Sequence, residues 1–270
     1  MKKLLLIFSK KIFFLKNLLE FITEFECYIA ALWVKNAHKR LMFIHWGLPP
    51  GPEFFDHNID LYYQWDKTKN PLWLERGVFG GLALKGGSVL ELSCGDGFNA
   101  KNFYSHRSQK VIACDFDLKA IKTAKKKNSA KNIDFVLADI RTQMPQGLFE
   151  NIVWDAAIEH FTETEIDLIM KDIKIRLAKD GIVSGYTIVE KIDGSKSLHQ
   201  HEYEFKSKED LIRFFNPHFT NVVVFETIYP SRHNLYFWAS DGILPMSKES
   251  EHKIESLNKL SVENHSVSAS

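Results

Sequence analysis

The chain has 270 residues, of which 45% are hydrophobic and 26% are charged, and its formal net charge at pH 7 is +1. A chain of this length can bury a full α/β core and still carry appended segments. The balanced charge excludes the strongly basic field that favours nucleic-acid binding, and we expect no nucleic-acid partner. The three cysteines are widely spaced, which argues against a disulfide scaffold and predicts reduced thiols in a cytoplasmic protein.

Residues 1–45 predict an amphipathic helical extension. Its apolar residues alternate at spacings of three and four, so they share one helical face. They are Leu5, Phe8, Ile12, Leu15, Leu19 and Ile22. Five lysines precede the first acid, and charges interrupt each apolar run well before the roughly twenty residues of a membrane span. Two interpretations stay open: a helix that covers its own domain or a partner subunit, or a helix that lies on the inner face of a membrane.

Residues 46–87 predict a cap or acceptor-binding segment. Prolines and glycines between positions 47 and 52 indicate a loop, and aromatic residues mixed with polar ones follow it. An apolar wall with a few polar groups suits a small ligand, although most of these aromatics also suit packing on a domain flank. The polar candidates are Asp56, His57, Tyr63 and Arg76. Arg76 can pair with a ligand carboxylate, or equally with Glu75 or another acid at the surface.

The stretch 88–100 predicts a buried strand, a tight turn with Gly95 and Gly97, and the start of a helix, which together make half of a nucleotide-binding βαβ unit. Three more apolar runs follow, at 110–115, 133–140 and 151–155, and each ends in or near an acid. Ligands bind at the edge where parallel strands end, so these acids should line one site. The spacing of Gly95, Gly97 and Ala100 also fits the fingerprint of nicotinamide-dependent enzymes.

The four segments in this order resemble the class I S-adenosylmethionine-dependent methyltransferases over about residues 88–240. The resemblance implies a Rossmann-like, seven-stranded, mostly parallel sheet with a C-terminal antiparallel hairpin, and S-adenosylmethionine as the cofactor. It implies cofactor contacts from Glu91, Ser93, Gly95 and Gly97 in the glycine turn, Asp115 and Phe116 at the ribose, Asp139 and Ile140 at the adenine, and Asp155, Ala156 and Arg76 at the methionine end. Ser93 stands where the family has its first glycine, which loosens the approach of the backbone there.

Glu159 and His160 follow the fourth strand at the ligand-binding edge. His160 is therefore a candidate general base, with Asp155 as a second candidate for removing a proton. The alternative for His160 is a histidine at a helix start that bonds to nearby backbone.

The loop 191–204 is long and rich in His, Glu and Tyr, which predicts contact with the acceptor through His199 and His201. Two histidines two residues apart on a loop are a weak metal signal, and no metal is predicted.

The C-terminal elements distinguish a methyltransferase from a nicotinamide-dependent enzyme. A helix at 207–215 and strands at 221–227 and 234–239 predict a terminal antiparallel hairpin, with Arg232 in its turn near the acceptor. A dehydrogenase domain would continue with further βα units. Residues 88–242 are thus the predicted methyltransferase domain, and residues 243–270 are a predicted disordered tail.

The sequence therefore predicts methyl transfer to a small-molecule, saccharide or lipid-linked acceptor. Methylases of DNA bases and of protein glutamine share an Asn/Asp-Pro-Pro-Tyr motif after the fourth strand, and this chain has Asp-Ala-Ala-Ile at 155–158 instead. The alternative is a non-catalytic binding or scaffold protein that retained the fold.

Overall fold

The computed structural model describes residues 2–46, 48, 57–63, 65, 69–230 and 232–246. Side chains of the first helix are described from residue 12 to residue 44. The chain divides into two compact units, residues 1–67 and residues 68–270. Most of the predicted tail, and the candidate Asp56, lie outside the described residues.

The first unit contains the long helix α1, Lys2–Trp46, and the short helix α2, His57–Tyr63. His38 of α1 and Asp60 of α2 are buried and form an ion pair of 3.0 Å. The described members of the predicted apolar stripe are exposed, from Ile12 at 58% to Ile22 at 42%. Among the described residues, we find no helix with the length and apolar character needed to cross a membrane.

The second unit is built on one seven-stranded sheet in the order β3-β2-β1-β4-β5-β7-β6. Its strands are β1 Ser88–Leu92, β2 Lys110–Asp115, β3 Ile133–Leu137, β4 Phe149–Asp155, β5 Leu177–Ile188, β6 Asn221–Tyr229 and β7 Arg232–Ser240. The first five strands pair in parallel, and β7 is antiparallel to both β5 and β6. This topology confirms the predicted fold class. The near-continuous burial of β1 and β4 is typical of central strands covered on both faces.

Four helices accompany the sheet: α3 Leu72–Leu82, α4 Leu118–Lys127, α5 Glu163–Arg176 and α6 Lys208–Phe215. A capping box starts α5, because Thr162 and Glu165 each bond the backbone N–H of the other. The helix after the glycine turn begins with a π-helical segment, Ala100–Tyr104.

Some predicted element boundaries were wrong. Residues 179–181 were predicted to separate a helix that ends at about Leu177 from a strand at 182–189. α5 does end at Arg176, but the backbone is already extended at Leu177, so β5 begins there and includes residues 179–181. The register of β5 against β4 shifts between Phe149 and Asn151, so the residues around Asp180 form an irregularity within the strand. The strand predicted to reach position 140 ends at Leu137. Arg232 is not in a turn, since it pairs with Tyr229 as the first residue of β7.

The core lies between the sheet and its helices. One buried cluster joins β4 and β7 to α5 and α6 through residues such as Trp154, Ile169 and Phe215. A second cluster joins β1 and β2 to α4 through Ile121. Leu244 and Met246, after β7, pack against a third cluster.

Candidate cofactor and acceptor site

The turn after β1 contains three residues in the left-handed region of φ: Ser93 at 54°, Gly95 at 56° and Gly97 at 74°. A Cβ at Gly97 would lie 2.5 Å from the ring of Phe135, so this position requires glycine for space as well as for conformation. Ser93 has no such freedom, and a non-glycine residue there costs about 1 kcal/mol. The backbone strain is therefore concentrated at the edge where ligands of such sheets bind.

Asp115 ends β2 and turns its carboxylate back to the glycine turn. It accepts hydrogen bonds from the backbone N–H groups of Gly95 at 2.9 Å and Asp117 at 2.8 Å. Burial raises the pKa of Asp115, and these two backbone bonds partly offset the rise. The bonds connect the ends of β1 and β2, so Asp115 and the glycine turn form one unit.

Asp139 follows β3 and is only half-buried. The Arg141 guanidinium contacts both of its carboxylate oxygens, at 2.7 to 3.1 Å, and lowers the pKa of Asp139. Ile140 beside it is buried, whereas Phe116 at the end of β2 is 69% exposed. An exposed aromatic ring and a half-exposed acid thus lie after the neighbouring strands β2 and β3.

Asp155 at the end of β4 accepts three hydrogen bonds on the same oxygen, Oδ2. Arg76 of α3 donates from Nε at 2.9 Å and from Nη2 at 2.5 Å, and Asn99 donates from Nδ2 at 2.8 Å. The side chains of Arg76 and Asp155 are only 11% and 5% exposed. Burial lowers the pKa of Arg76, but the charge and hydrogen bonds of Asp155 outweigh it and raise the pKa. The Arg76 guanidinium is therefore charged and buried, and Oδ2 of Asp155 is occupied by three hydrogen bonds. The prediction that a salt bridge of Arg76 would lie at the surface was wrong, because the salt bridge with Asp155 is buried.

Glu91 lies in β1, between the glycine turn and Asp155, and is 2% exposed. Burial raises its pKa well above the ordinary value, and the negative charge of Asp155 adds to the rise while Arg76 opposes it. Its Oε2 atom is buried and has no hydrogen-bond partner in the described structure. A buried polar atom without a partner is costly, and a donor on a ligand would remove that cost.

α3 holds Arg76 in place through its neighbour Glu75. The Glu75 carboxylate accepts hydrogen bonds from the hydroxyls of Thr227 at 2.9 Å, Tyr236 at 2.8 Å, and Tyr229. These three hydroxyls belong to β6 and β7, so α3 is fixed to the C-terminal strands.

Tyr186 of β5 links Arg76 to the predicted acceptor residue Arg232. The Arg76 guanidinium lies 5.0 Å from the centre of the Tyr186 ring, and Arg232 donates from Nε to the Tyr186 hydroxyl at 2.9 Å. Burial raises the pKa of Tyr186 to about 12, so the hydroxyl stays protonated and donates to Asn234 at 3.1 Å. Arg232 therefore lies one aromatic ring away from Arg76, although it is not in a turn.

The rings of His160, which follows β4, and His201, in the loop after β5, lie against each other. This contact was not predicted from the sequence. Their rings meet edge to face with centroids 4.8 Å apart, and Glu159 lies beside them with its ligand-type atoms within 4.8 Å of theirs. Nδ1 of His160 donates to the backbone oxygen of Gln200 at 3.2 Å. The alternative interpretation of His160, a bond to nearby backbone, is therefore part of the geometry. Ala156, between Asp155 and this cluster, has φ of 50°.

The remaining acceptor candidates are His199, His57 and Tyr63. His199 is exposed on the loop after β5. His57 is half-buried in α2 of the first unit, and the side chain of Tyr63 lies outside the described residues. Their roles stay predictions.

Asn99, Tyr186 and Glu204 contact the site residues but were not predicted from the sequence as candidates. Asn99 reaches Asp155 across 56 positions of sequence, and Tyr186 reads as an ordinary strand residue. Glu204 was included only in the general composition of the loop, yet it bonds Nδ1 of the buried His201. No local pattern marks Asn99 or Tyr186, because each acquires its partner through the tertiary fold, whereas Glu204 lies only three positions from His201.

Comparison with known proteins agrees with the sheet and the glycine turn. Residues 89–181 match the family described as "Methyltransferase domain". The structure of DhpI in complex with SAH is 19% identical, covers 67% of this chain and 87% of its own, and has a TM-score of 0.53. The N-methyltransferase NodS from Bradyrhizobium japonicum WM9 in complex with S-adenosyl-L-homocysteine is 17% identical, covers 67% and 92%, and also has a TM-score of 0.53. A search of curated proteins finds no match. The predicted resemblance to class I methyltransferases is confirmed.

Proposed function

We propose that this chain, whose residues 89–181 match a methyltransferase domain, uses S-adenosylmethionine to methylate a small-molecule, saccharide or lipid-linked acceptor. The observation that carries this proposal is the convergence of Glu91, Asp115 and Asp155 on the glycine turn at one edge of the sheet. Two structural neighbours contain the product of that cofactor, S-adenosyl-L-homocysteine, which supports the choice of ligand.

The methionine end of the cofactor fits the part of the site around Glu91. Its ammonium group supplies a donor and a positive charge for the unpartnered Oε2 of Glu91. Arg76 supplies positive charge for the cofactor's carboxylate, while two of its N–H groups remain engaged with Asp155. Arg76 and Asp155 thus act in this proposal as a positioned pair.

The nucleoside end fits the part of the site around Asp115. The carboxylate of Asp115 is held by two backbone N–H groups and retains lone pairs for ribose hydroxyls. Asp139, Ile140 and the exposed ring of Phe116 are proposed to contact the adenine. Gly97 lets the turn pack closely against Phe135 and Ala124, because no Cβ fits there.

The cofactor supplies a methyl group on a positively charged sulfur. The protein's contribution is to hold the acceptor in line with that methyl group and exclude water, which can lower the barrier by several kcal/mol. An oxygen acceptor must also lose a proton. His160 fits this role better than Asp155, because the Nδ1 bond to Gln200 leaves its Nε2 with a lone pair.

Isothermal titration with S-adenosylmethionine tests cofactor binding. We expect binding in the wild type and at least tenfold weaker binding in Asp115→Ala, with Asp134→Ala as a control because Asp134 is an exposed acid of β3. Thermal melting without ligand establishes that both variants are folded. Absence of binding by the wild type would contradict the proposal. Binding without transfer of a labelled methyl group to any component of a cell extract would favour the scaffold alternative.

The exposed side chains of α1 favour a lipid-linked acceptor among the three proposed acceptor classes. Its exposed side chains include Phe13, Phe14, Phe21 and Trp33, each between 65% and 73% exposed, with Lys16 beside them. Large aromatic side chains with nearby lysines suit the interface of an anionic membrane. We place α1 there as a peripheral contact.

Co-sedimentation with vesicles that contain anionic phospholipid tests this contact. The double variant Phe14→Ser/Phe21→Ser should pellet less than the wild type. Leu148→Ser is the matched control, because Leu148 is 68% exposed in the sheet unit. Equal pelleting of all three proteins would remove the membrane role and leave the cofactor proposal intact.

A further inference from the structure

Three metal-ligating side chains meet at the acceptor end of the site. Glu159 and His160 belong to the 3-10 turn Ile158–His160 after β4, and His201 belongs to the loop between β5 and α6. The backbone oxygen of Glu159 accepts the N–H groups of Glu202 at 2.8 Å and Tyr203 at 3.1 Å. The turn and the loop are therefore joined by main-chain bonds, and the cluster is part of the fold.

In both imidazoles Nδ1 is hydrogen-bonded, and Nε2 is the nitrogen available to a metal ion. Nδ1 of His160 faces the backbone oxygen of Gln200, and Nδ1 of His201 faces the carboxylate of Glu204. A carbonyl or carboxylate oxygen only accepts, so each Nδ1 carries a proton, and Nε2 is the nitrogen that can offer a lone pair to a metal ion. A histidine that donates to a carboxylate through one nitrogen and binds a metal through the other is a recurring arrangement in metalloproteins.

Glu159 supplies a buried negative charge. It is 3% exposed, and Oε2 accepts a hydrogen bond from the Thr187 hydroxyl at 2.9 Å. In the part of the chain that the structure describes, no lysine or arginine lies within ion-pair distance of this carboxylate. A buried carboxylate without a cation is costly, and a bound metal ion would compensate it.

We propose that Glu159, His160 and His201 form a binding site for a divalent transition-metal ion, with Zn²⁺ as the best fit. Two imidazole nitrogens and one carboxylate oxygen are a suitable set for Zn²⁺, and three protein ligands leave a fourth position open. The three ligand atoms lie within 4.8 Å of one another. A tetrahedral site with bonds of about 2.0 Å separates its ligand atoms by about 3.3 Å, so the groups converge by at most about 1.5 Å on binding.

The open position gives the site a role that rests on the proposed methyltransferase function. Zn²⁺ lowers the pKa of a bound hydroxyl group, so an acceptor oxygen there becomes a better nucleophile. The oxygen loses its proton to water and then forms a bond to the methyl carbon as the carbon–sulfur bond breaks. In the metal-loaded protein, His160 is a ligand and not the base.

Metal binding is tested directly with Zn²⁺ and with Co²⁺ as a spectroscopic probe. We expect one equivalent of Zn²⁺ by calorimetry and the visible absorption of four-coordinate Co²⁺ in the wild type. His201→Ala should weaken Zn²⁺ binding at least 100-fold, and Glu204→Gln about 10- to 100-fold because it releases the imidazole. His199→Ala is the matched control, since it removes an exposed histidine two positions away, and it should bind as the wild type does.

Titration with S-adenosyl-L-homocysteine separates this proposal from the proposed function. His201→Ala should bind it as the wild type does, which also shows that the variant is folded. Zn²⁺ binding by the wild type that persists equally in His201→Ala and Glu204→Gln would overturn the site. Absence of stoichiometric Zn²⁺ and Co²⁺ binding in a protein that binds S-adenosyl-L-homocysteine would overturn it as well, while the cofactor proposal would stand.

Discussion

Asp155 and Asp115 are both buried at strand ends of the same sheet, yet they are stabilised in different ways. Asp155 depends on side chains, the Arg76 guanidinium and the Asn99 amide. Asp115 depends on backbone N–H groups of Gly95 and Asp117. A single substitution can remove one of the partners of Asp155, whereas the partners of Asp115 follow from the path of the chain. The Asp155 end of the site should therefore be the more sensitive to mutation.

The largest loss of stability is expected from Arg76→Met. The variant leaves Asp155 buried without its cation, and removing one partner of a buried ion pair costs about 3–5 kcal/mol of unfolding free energy. Urea denaturation at neutral pH measures the loss.

The control is Arg141→Met, which removes the half-exposed partner of Asp139 and should cost less than about 1 kcal/mol. Similar losses in the two variants would show that burial does not distinguish the two arginines.

A smaller effect is expected from Glu91→Gln, and it depends on pH. Burial raises the folded-state pKa of Glu91 above its ordinary value of 4.5. Above about pH 4.5 the unfolded chain releases this proton while the folded chain still holds it, so the unfolding free energy of the wild type falls. The glutamine variant does not ionise. The unfolding free energy of Glu91→Gln relative to the wild type should therefore increase from pH 4.5 upward, toward the folded-state pKa.

Denaturation series at several pH values test this slope. The surface variant Asp134→Asn should show no comparable increase, since Asp134 is exposed. A flat difference between Glu91→Gln and the wild type would mean that Glu91 ionises as easily in the folded chain as in the unfolded one.

The smallest effects on stability are expected from glycine substitutions at strained backbone positions. Ser93 and Ala156 follow β1 and β4 with φ of 54° and 50°, so glycine at either position should stabilise the fold by about 1 kcal/mol. Ala157 has φ of −145°, and Ala157→Gly should instead destabilise it by about 0.5–1 kcal/mol. Thermal melting of the three variants checks the sign of each change, and stabilisation by Ala157→Gly would refute the assignment to backbone strain.

The strands and the acids at their ends were accessible from sequence because each has a local signature. A buried parallel strand is a short apolar run, and its acid stands a fixed distance from it, as with Asp115 after β2. The start of β5 was misread because Lys179-Asp180-Gly181 looks like the break between a helix and a strand, while its strand pairing with β4 lies far away in sequence.

The partners of the site residues were not accessible in this way. Arg76 precedes Asp155 by 79 positions, and only the packing of α3 on the strands brings them together. His201 and His160 are 41 positions apart, and a backbone bond between the loop and Glu159 sets their distance.

The sequence by itself determined the parallel sheet, the glycine turn and the identity of the acids beside it, because hydrophobic runs and glycine spacing act over a few residues. Only the tertiary structure decided which charge each acid faces, how deeply it is buried and that two histidines meet beside Glu159. Those properties depend on distances between segments far apart in the chain, and such distances are set when the sheet and its helices bury their apolar faces together.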